Sequence, residues 1–248
     1  MAVSVTAALL VIGDEILTGR TKDKNIGYIA EYLTAIGIDL REVRIVPDVE
    51  DEIVAAVNAL RQRYTYLFTT GGIGPTHDDI TADSVAKAFG VGIGQDPRAV
   101  AMLRERYQPH ELNEARLCMA RIPEGADLIE NPISKAPGFR LSNVFVMAGV
   151  PSIMQAMLEN IAPTLEVGAR MNSEVVEAEG IAEGIYAEGL GQIAAANEGV
   201  SIGSYPSFSA AGFRNQIIVR GKNLAAVEKA AAEVRDLLGR LKGDRAPL

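Results

Sequence analysis

The chain has 248 residues, 48% of them hydrophobic and 23% charged, with a formal net charge of −8 and a single cysteine, Cys118. These values describe an ordinary globular chain of one large domain or of one medium and one small domain. The acidic balance argues against nucleic acid as a partner, and the lone cysteine excludes an internal disulfide. No stretch reaches membrane-span length and no leader pattern opens the chain, so a cytoplasmic protein with no membrane partner is expected.

Residues 5–12 are continuously apolar, as in a strand buried on both faces of a parallel sheet. Residues 13–19 read as a loop carrying Asp14 and Glu15. Ile26, Ile29, Ala30 and Leu33 have helical spacing, closed by Gly37, and a second strand is expected over 39–46. Asp48 is placed to cap a helix over 49–63, with Ile53, Val54, Val57 and Leu60 inward. A third strand, 66–70, runs into the segment Thr69-Thr70-Gly71-Gly72-Ile73-Gly74-Pro75-Thr76-His77-Asp78-Asp79-Ile80-Thr81, and a helix follows to residue 89. Strands alternating with helices predict an α/β fold with a doubly wound, mostly parallel sheet, whose ligands bind beyond the strand C-terminal ends.

Beyond that region, Asp96-Pro97 starts a helix with a cap and a first-turn proline. Cys118 is expected to be buried packing. Residues 126–138 are turn-rich, 144–147 form a core strand, and Pro151 opens a helix to residue 161. The order then changes to strand 172–179, helix 182–197, strands 200–205 and 215–220, and helix 224–241. That predicts a small α+β lobe, with residues 1–168 as the first domain and 169–248 as the second.

Glycines at 71, 72 and 74 let backbone amides approach an anion, and the following helix start favours negative charge. Asp78 and Asp79 beside them suggest a divalent cation, Mg²⁺ or similar, bridging to a phosphate. Asp14, Glu15 and Asp48 fall on neighbouring strand ends. Each has a plainer reading, as helix cap, dipole partner or solvated charge. Ser134, Lys135 and Gly138 lie where a turn could close over a ligand, Lys135 as a phosphate contact. The chain has no Gly-x-x-x-x-Gly-Lys-[Ser/Thr] loop, no zinc spacing and no Gly-x-Ser-x-Gly elbow.

A combination of motifs resembles the molybdopterin-binding (MoaB/Mog-like) domain, in its CinA-related branch. They are Gly13-Asp14-Glu15-Ile16-Leu17 with Gly19, Asn25, Val46-Pro47-Asp48, the 70–81 signature, Asn131 with Ala136-Pro137-Gly138, and Gly149-Val150-Pro151. The resemblance spans roughly residues 5–165 and implies a three-layer αβα domain. The C-terminal lobe resembles, more loosely, a KH-like arrangement. For the ligand, the resemblance implies a nucleotide or pterin phosphate site, with molybdopterin as a candidate cofactor. It also implies functional acids at Asp48 and Asp79 and, together with the number of apolar helix faces, association into a homo-oligomer. Ligand contacts among Gly71, Gly72, Gly74, Pro75, Thr76, Thr81, Ser134, Lys135 and Gly138 are expected from the placement of the glycine loop and the turn. A metal role for Asp14, Glu15, Asp78 and Asp79 is inferred from their placement. The expected activity is metal-dependent hydrolysis of a nucleotide diphosphate such as ADP-ribose. The alternatives are a non-catalytic binding module or adenylyl transfer to molybdopterin. The amidohydrolase domain of full-length CinA proteins would not fit in this length.

Overall fold

The computed structural model describes residues 4–206, 208–209 and 212–243. The chain divides into two compact units, Met1–Gly168 and Ala169–Leu248.

In the first unit the elements run β1 (Thr6–Ile12), α1 (Asp14–Leu17), α2 (Asn25–Ala35), β2 (Asp39–Val46), α3 (Glu50–Arg63), β3 (Tyr66–Thr70), α4 (Thr81–Phe89), β4 (Ile93–Gln95), α5 (Pro97–Arg106), α6 (Glu114–Cys118), β5 (Arg121–Pro123), β6 (Asp127–Ile129), β7 (Gly138–Leu141), β8 (Val144–Met147) and α7 (Pro151–Ile161). Six strands form one sheet in the order β2-β1-β3-β8-β7-β6, parallel from β2 through β8. The β7 strand runs antiparallel to both its neighbours. From β1 the chain moves outward to β2, then crosses back over β1 to β3. The switch point therefore lies between the C-terminal ends of β1 and β3, where open α/β sheets hold their ligands.

The continuous apolar strands are explained by burial on both faces. Ala8, Leu10 and Ile12 of β1 pack under Ile53, Val57 and Leu60 of α3 and Val85 of α4. Ala7, Leu9 and Val11 meet Ile29 and Leu33 of α2 and Met154, Met157 and Leu158 of α7 on the other side. Each such fully buried aliphatic side chain contributes about 1.5–3 kcal/mol. Helices thus cover both faces in three layers. Asp96 caps α5 by accepting from the Arg98 amide at 2.7 Å, with Pro97 in the first turn, as the sequence predicts.

Three expectations need correction. The segment after β1 is not wholly a loop, because Asp14–Leu17 closes one helical turn. Asp48 does not cap α3, whose N-cap is Val49 without a side-chain bond. Cys118 is exposed rather than buried, since the short α6 presents it to solvent.

The second unit has β9 (Asn172–Glu179), α8 (Glu183–Ala196), β10 (Val200–Tyr205), β11 (Phe208–Ser209), β12 (Gly212–Gly221) and α9 (Leu224–Gly243). Strand β12 lies between β10 and β9, antiparallel to both. Val227, Ala230, Ala231, Val234 and Leu238 of α9 form the helical stripe that covers Val176, Ala178, Ile217 and Val219 of the sheet. Among the described residues, no helix is long and apolar enough to cross a membrane.

Candidate functional site

The 71–80 loop leaves β3 at the switch point and is shaped by close packing. Gly71 has φ +103°, and a Cβ there would run into the Ile12 carbonyl oxygen at the end of β1. On the other side Gly149, after β8, stands so near that its own Cβ would lie 3.2 Å from the Gly71 Cα. Gly71 therefore lets three strand ends converge, and its role is structural. Gly72 has φ +66°, and a Cβ there would displace the Thr81 hydroxyl. That hydroxyl, fully buried, donates to the Gly71 carbonyl at 3.0 Å, while the Thr81 amide donates to the Gly72 carbonyl at 3.0 Å. Thr81 thus pins the loop to the start of α4.

Asp79 folds back into the loop. Its Oδ2 accepts from the Thr76 amide at 2.8 Å and the Thr76 hydroxyl at 2.6 Å, and it fills the space beside Gly74. Pro75, Thr76 and Asp78 form the exposed tip. The amides of Gly72, Ile73 and Gly74 have no hydrogen-bond acceptor among the described residues. Three successive free N–H groups next to a helix start form a cradle for an anion.

Asp48 reaches across from the end of β2. Its Oδ2 accepts from the Asp14 amide at 3.0 Å, so it secures the start of α1 rather than of α3. Burial of its carboxyl pushes its pKa upward, and the Asp14 amide only partly opposes this. The charges of Asp14, Glu15 and Asp78 push the same way as burial, so each of them acts within electrostatic reach of Asp48. The sequence assigns functional roles to Asp48 and Asp79, whereas it is Asp78 whose charge adds to the upward push on Asp48. Among the described residues, no three His, Cys, Asp or Glu side chains converge as ion ligands, so Asp14, Glu15, Asp78 and Asp79 do not form the expected cage. Asp79 is drawn away by Thr76, and Asp48 by the Asp14 amide.

The turn-rich segment takes other work. Lys135, at φ 63°, pairs through Nζ with Glu105 Oε2 at 2.7 Å rather than standing free for a phosphate. The Glu105 carboxylate accordingly raises the Lys135 pKa. Ser134 belongs to an Asn131-centred turn, in which the Asn131 Oδ1 accepts from the Ser134 amide at 3.1 Å. Gly138 is buried in β7, where a Cβ would enter the Val146 carbonyl of β8, so strand pairing rather than a ligand requires it.

A cavity of about 260 Å³ opens against the outer side of the loop, lined by Gly74, Thr76 and Asp79 and, opposite, by Met119, Pro137 and Phe139. The Asp83–Arg121 ion pair forms part of its wall. The cavity meets the loop at Ile73 and Gly74 and combines apolar with polar walls, the usual composition of a small-molecule site. Asn25, only 4% exposed at the start of α2, donates from Nδ2 to the Gly149 carbonyl at 2.8 Å, and its Oδ1 is buried without a partner. From the sequence Asn25 is a motif residue with no role attached. A polar residue at the first turn of an otherwise apolar helix face was the available signal.

Residues 8–167 match the family described as "Probable molybdopterin binding domain", and residues 180–242 match "FAD synthase, middle domain". A protein of Aeropyrum pernix is 34% identical over 249 residues, covering 95% of this chain and 92% of its own. The CinA-like protein of Desulfosudis oleivorans is 37% identical over 211 residues, which are 79% of this chain but 51% of that protein. The crystal structure of CinA from Thermoplasma acidophilum, described as of unknown function, superposes with a TM-score of 0.62 at 34% identity, over 65% of this chain and 98% of that one. By the match to residues 8–167 and by these relatives, the chain belongs to the molybdopterin-binding domain family, in its CinA-related branch.

Proposed function

We propose that the first unit binds a phosphorylated nucleotide or pterin, with a diphosphate on the amides of Gly72, Ile73 and Gly74 and the ring in the adjoining cavity. The observation that carries this reading is that run of acceptor-free amides on a loop that also borders a cavity of about 260 Å³, just under the usual range for small-molecule pockets and so sized for part of a ligand such as its ring. Thr76, Asp79 and Thr81 act as positioning residues for the loop, and Pro75 stiffens its tip.

Hydrolysis of a nucleotide diphosphate of the ADP-ribose kind is the chemistry we assign to the site. Asp48, with its raised affinity for a proton, is the candidate acceptor from an attacking water. A diphosphate arriving near Asp14, Glu15, Asp48 and Asp78 brings like charge to like charge, so the reading calls for a divalent cation. Mg²⁺ is commonly held by one or two carboxylates plus substrate phosphates, and Asp14 or Asp78 could serve without a preformed cage. The cation would supply charge neutralisation at the phosphates.

The test is a panel of ADP-ribose, ADP and inorganic pyrophosphate, with and without Mg²⁺, read by thermal shift and by chromatography of products. Thermal stabilisation that is reduced in Asp79→Ala, with cleavage that disappears in Asp48→Asn, supports the reading. No stabilisation by any of the three compounds refutes it. A second reading, binding without turnover, is favoured by the Asp79 carboxylate being turned into its own loop. A ligand that stabilises the protein and stays intact for hours selects that alternative.

A further inference from the structure

Strand β2 is an edge. Its eight residues pair with β1 alone among the described residues. A strand of this length with one row of unpaired peptide groups is a template for another strand, and proteins normally cover or blunt it. Here Val43 and Ile45 are each 38% exposed.

The direction of the peptide groups follows from the ladder. The Val46 carbonyl accepts from the Gly13 amide on the β1 side, and peptide orientation alternates along a strand. Glu42 and Arg44 therefore turn their peptides toward β1, in register with Ala8 and Leu10. Val43 and Ile45 present theirs outward.

We propose that the protein forms a twofold dimer by antiparallel pairing of β2 with β2 of a second copy, centred on Val43. The charge pattern selects this register. With the axis at Val43, each Glu42 lies opposite Arg44 of the second copy, at the positions flanking a hydrogen-bonded Val43 pair. These flanking positions bring side chains closest. Moving the axis to Arg44 would set two guanidinium groups face to face. Moving it to Ile45 would bring Pro47, which has no amide hydrogen, opposite Val43. The charges are already held in place: Glu42 accepts from Arg44 Nε at 2.6 Å and from the Tyr64 hydroxyl at 2.7 Å. Arg63 also donates to Glu42, at 3.3 Å, so pairing the copies joins two such arrangements into a six-charge network and two six-stranded sheets into one continuous sheet.

Sedimentation equilibrium of the full chain tests this, with circular dichroism confirming that each variant is folded. The expected result is a dimer whose dissociation constant rises about tenfold or more in Arg44→Glu, where four acids would meet. The double swap Glu42→Arg with Arg44→Glu should bring it back to within about threefold, and Val43→Lys should leave a monomer. Hydrogen exchange of the wild-type protein gives a second readout: the Val43 and Ile45 amides should lose protection on dilution. A monomeric wild type, a stoichiometry other than two, or a dimer indifferent to Val43→Lys overturns the proposal. So does concentration-independent exchange at those amides.

Discussion

Replacing Gly71 by alanine tests whether the binding loop is built on a close approach of three strand ends. Two costs combine. At φ +103° an L-residue is held outside its favoured regions, at about 1–3 kcal/mol. The new methyl also stands inside the Ile12 carbonyl, where ordinary C···O contacts are about 3.3–3.6 Å, so one strand end must retreat by roughly 1 Å. Overpacking of that kind costs about 1–3 kcal/mol, for a total of about 2–6 kcal/mol. A folding stability of about 5–15 kcal/mol makes this a large fraction, worth roughly 5–20 °C in Tm. Gly90 supplies the control: it caps α4 at φ +67°, but a Cβ there meets nothing within 4 Å. Gly90→Ala should therefore cost only the backbone penalty of about 1–2 kcal/mol. Urea denaturation of the two variants, followed by circular dichroism, separates the contributions. If Gly71→Ala proves no less stable than Gly90→Ala, the strand ends are not tightly packed and the rigid cradle argued from them is wrong.

Three further outcomes are expected. Asp79→Ala removes the acceptor for the Thr76 amide and hydroxyl, so it should cost about 1–2 kcal/mol and weaken pyrophosphate binding about tenfold by calorimetry, with an unchanged far-ultraviolet spectrum. Asn25→Ala removes the bond to the Gly149 carbonyl, which solvent can still reach because Gly149 is exposed, and should lower stability by about 0.5–1.5 kcal/mol in the same denaturation assay. Asp48 keeps its proton in the folded state above the usual value of 3.8, so its contribution to stability falls as pH rises from there through the raised value. In melts from acid to neutral pH, Asp48→Asn should match wild type at the acid end and exceed it at neutral pH. A wild type that gains on the variant with rising pH would contradict the assigned direction.

What the sequence disclosed and what it withheld divide along one physical line: signals local in the chain were readable, and those set by partners distant in sequence were not. Strand β1 and helix α5 were legible because a continuous apolar run and an Asp-Pro cap each carry their structural cause within a few residues. Strands β4 to β7 escaped notice because they are three or four residues long and exist only through cross-strand pairing. The same distinction explains the site. The glycine signature announced a strand-to-helix turn, yet nothing local could show that Gly71 faces Ile12 and Gly149 while Gly72 faces Thr81. Asp48 preceded a helix and so looked like its cap, but the Asp14 amide, 34 positions earlier in the chain, took its carboxylate instead. Lys135 looked like a phosphate ligand until folding brought Glu105 to it. The partners of the candidate charges are thus decided by tertiary competition for each carboxylate and amine. The cradle itself, made of backbone amides freed by glycine geometry, depends on no such contest. For that reason a cradle variant such as Gly72→Ala, which displaces the Thr81 hydroxyl, should impair ligand binding more than removal of any single surrounding charge.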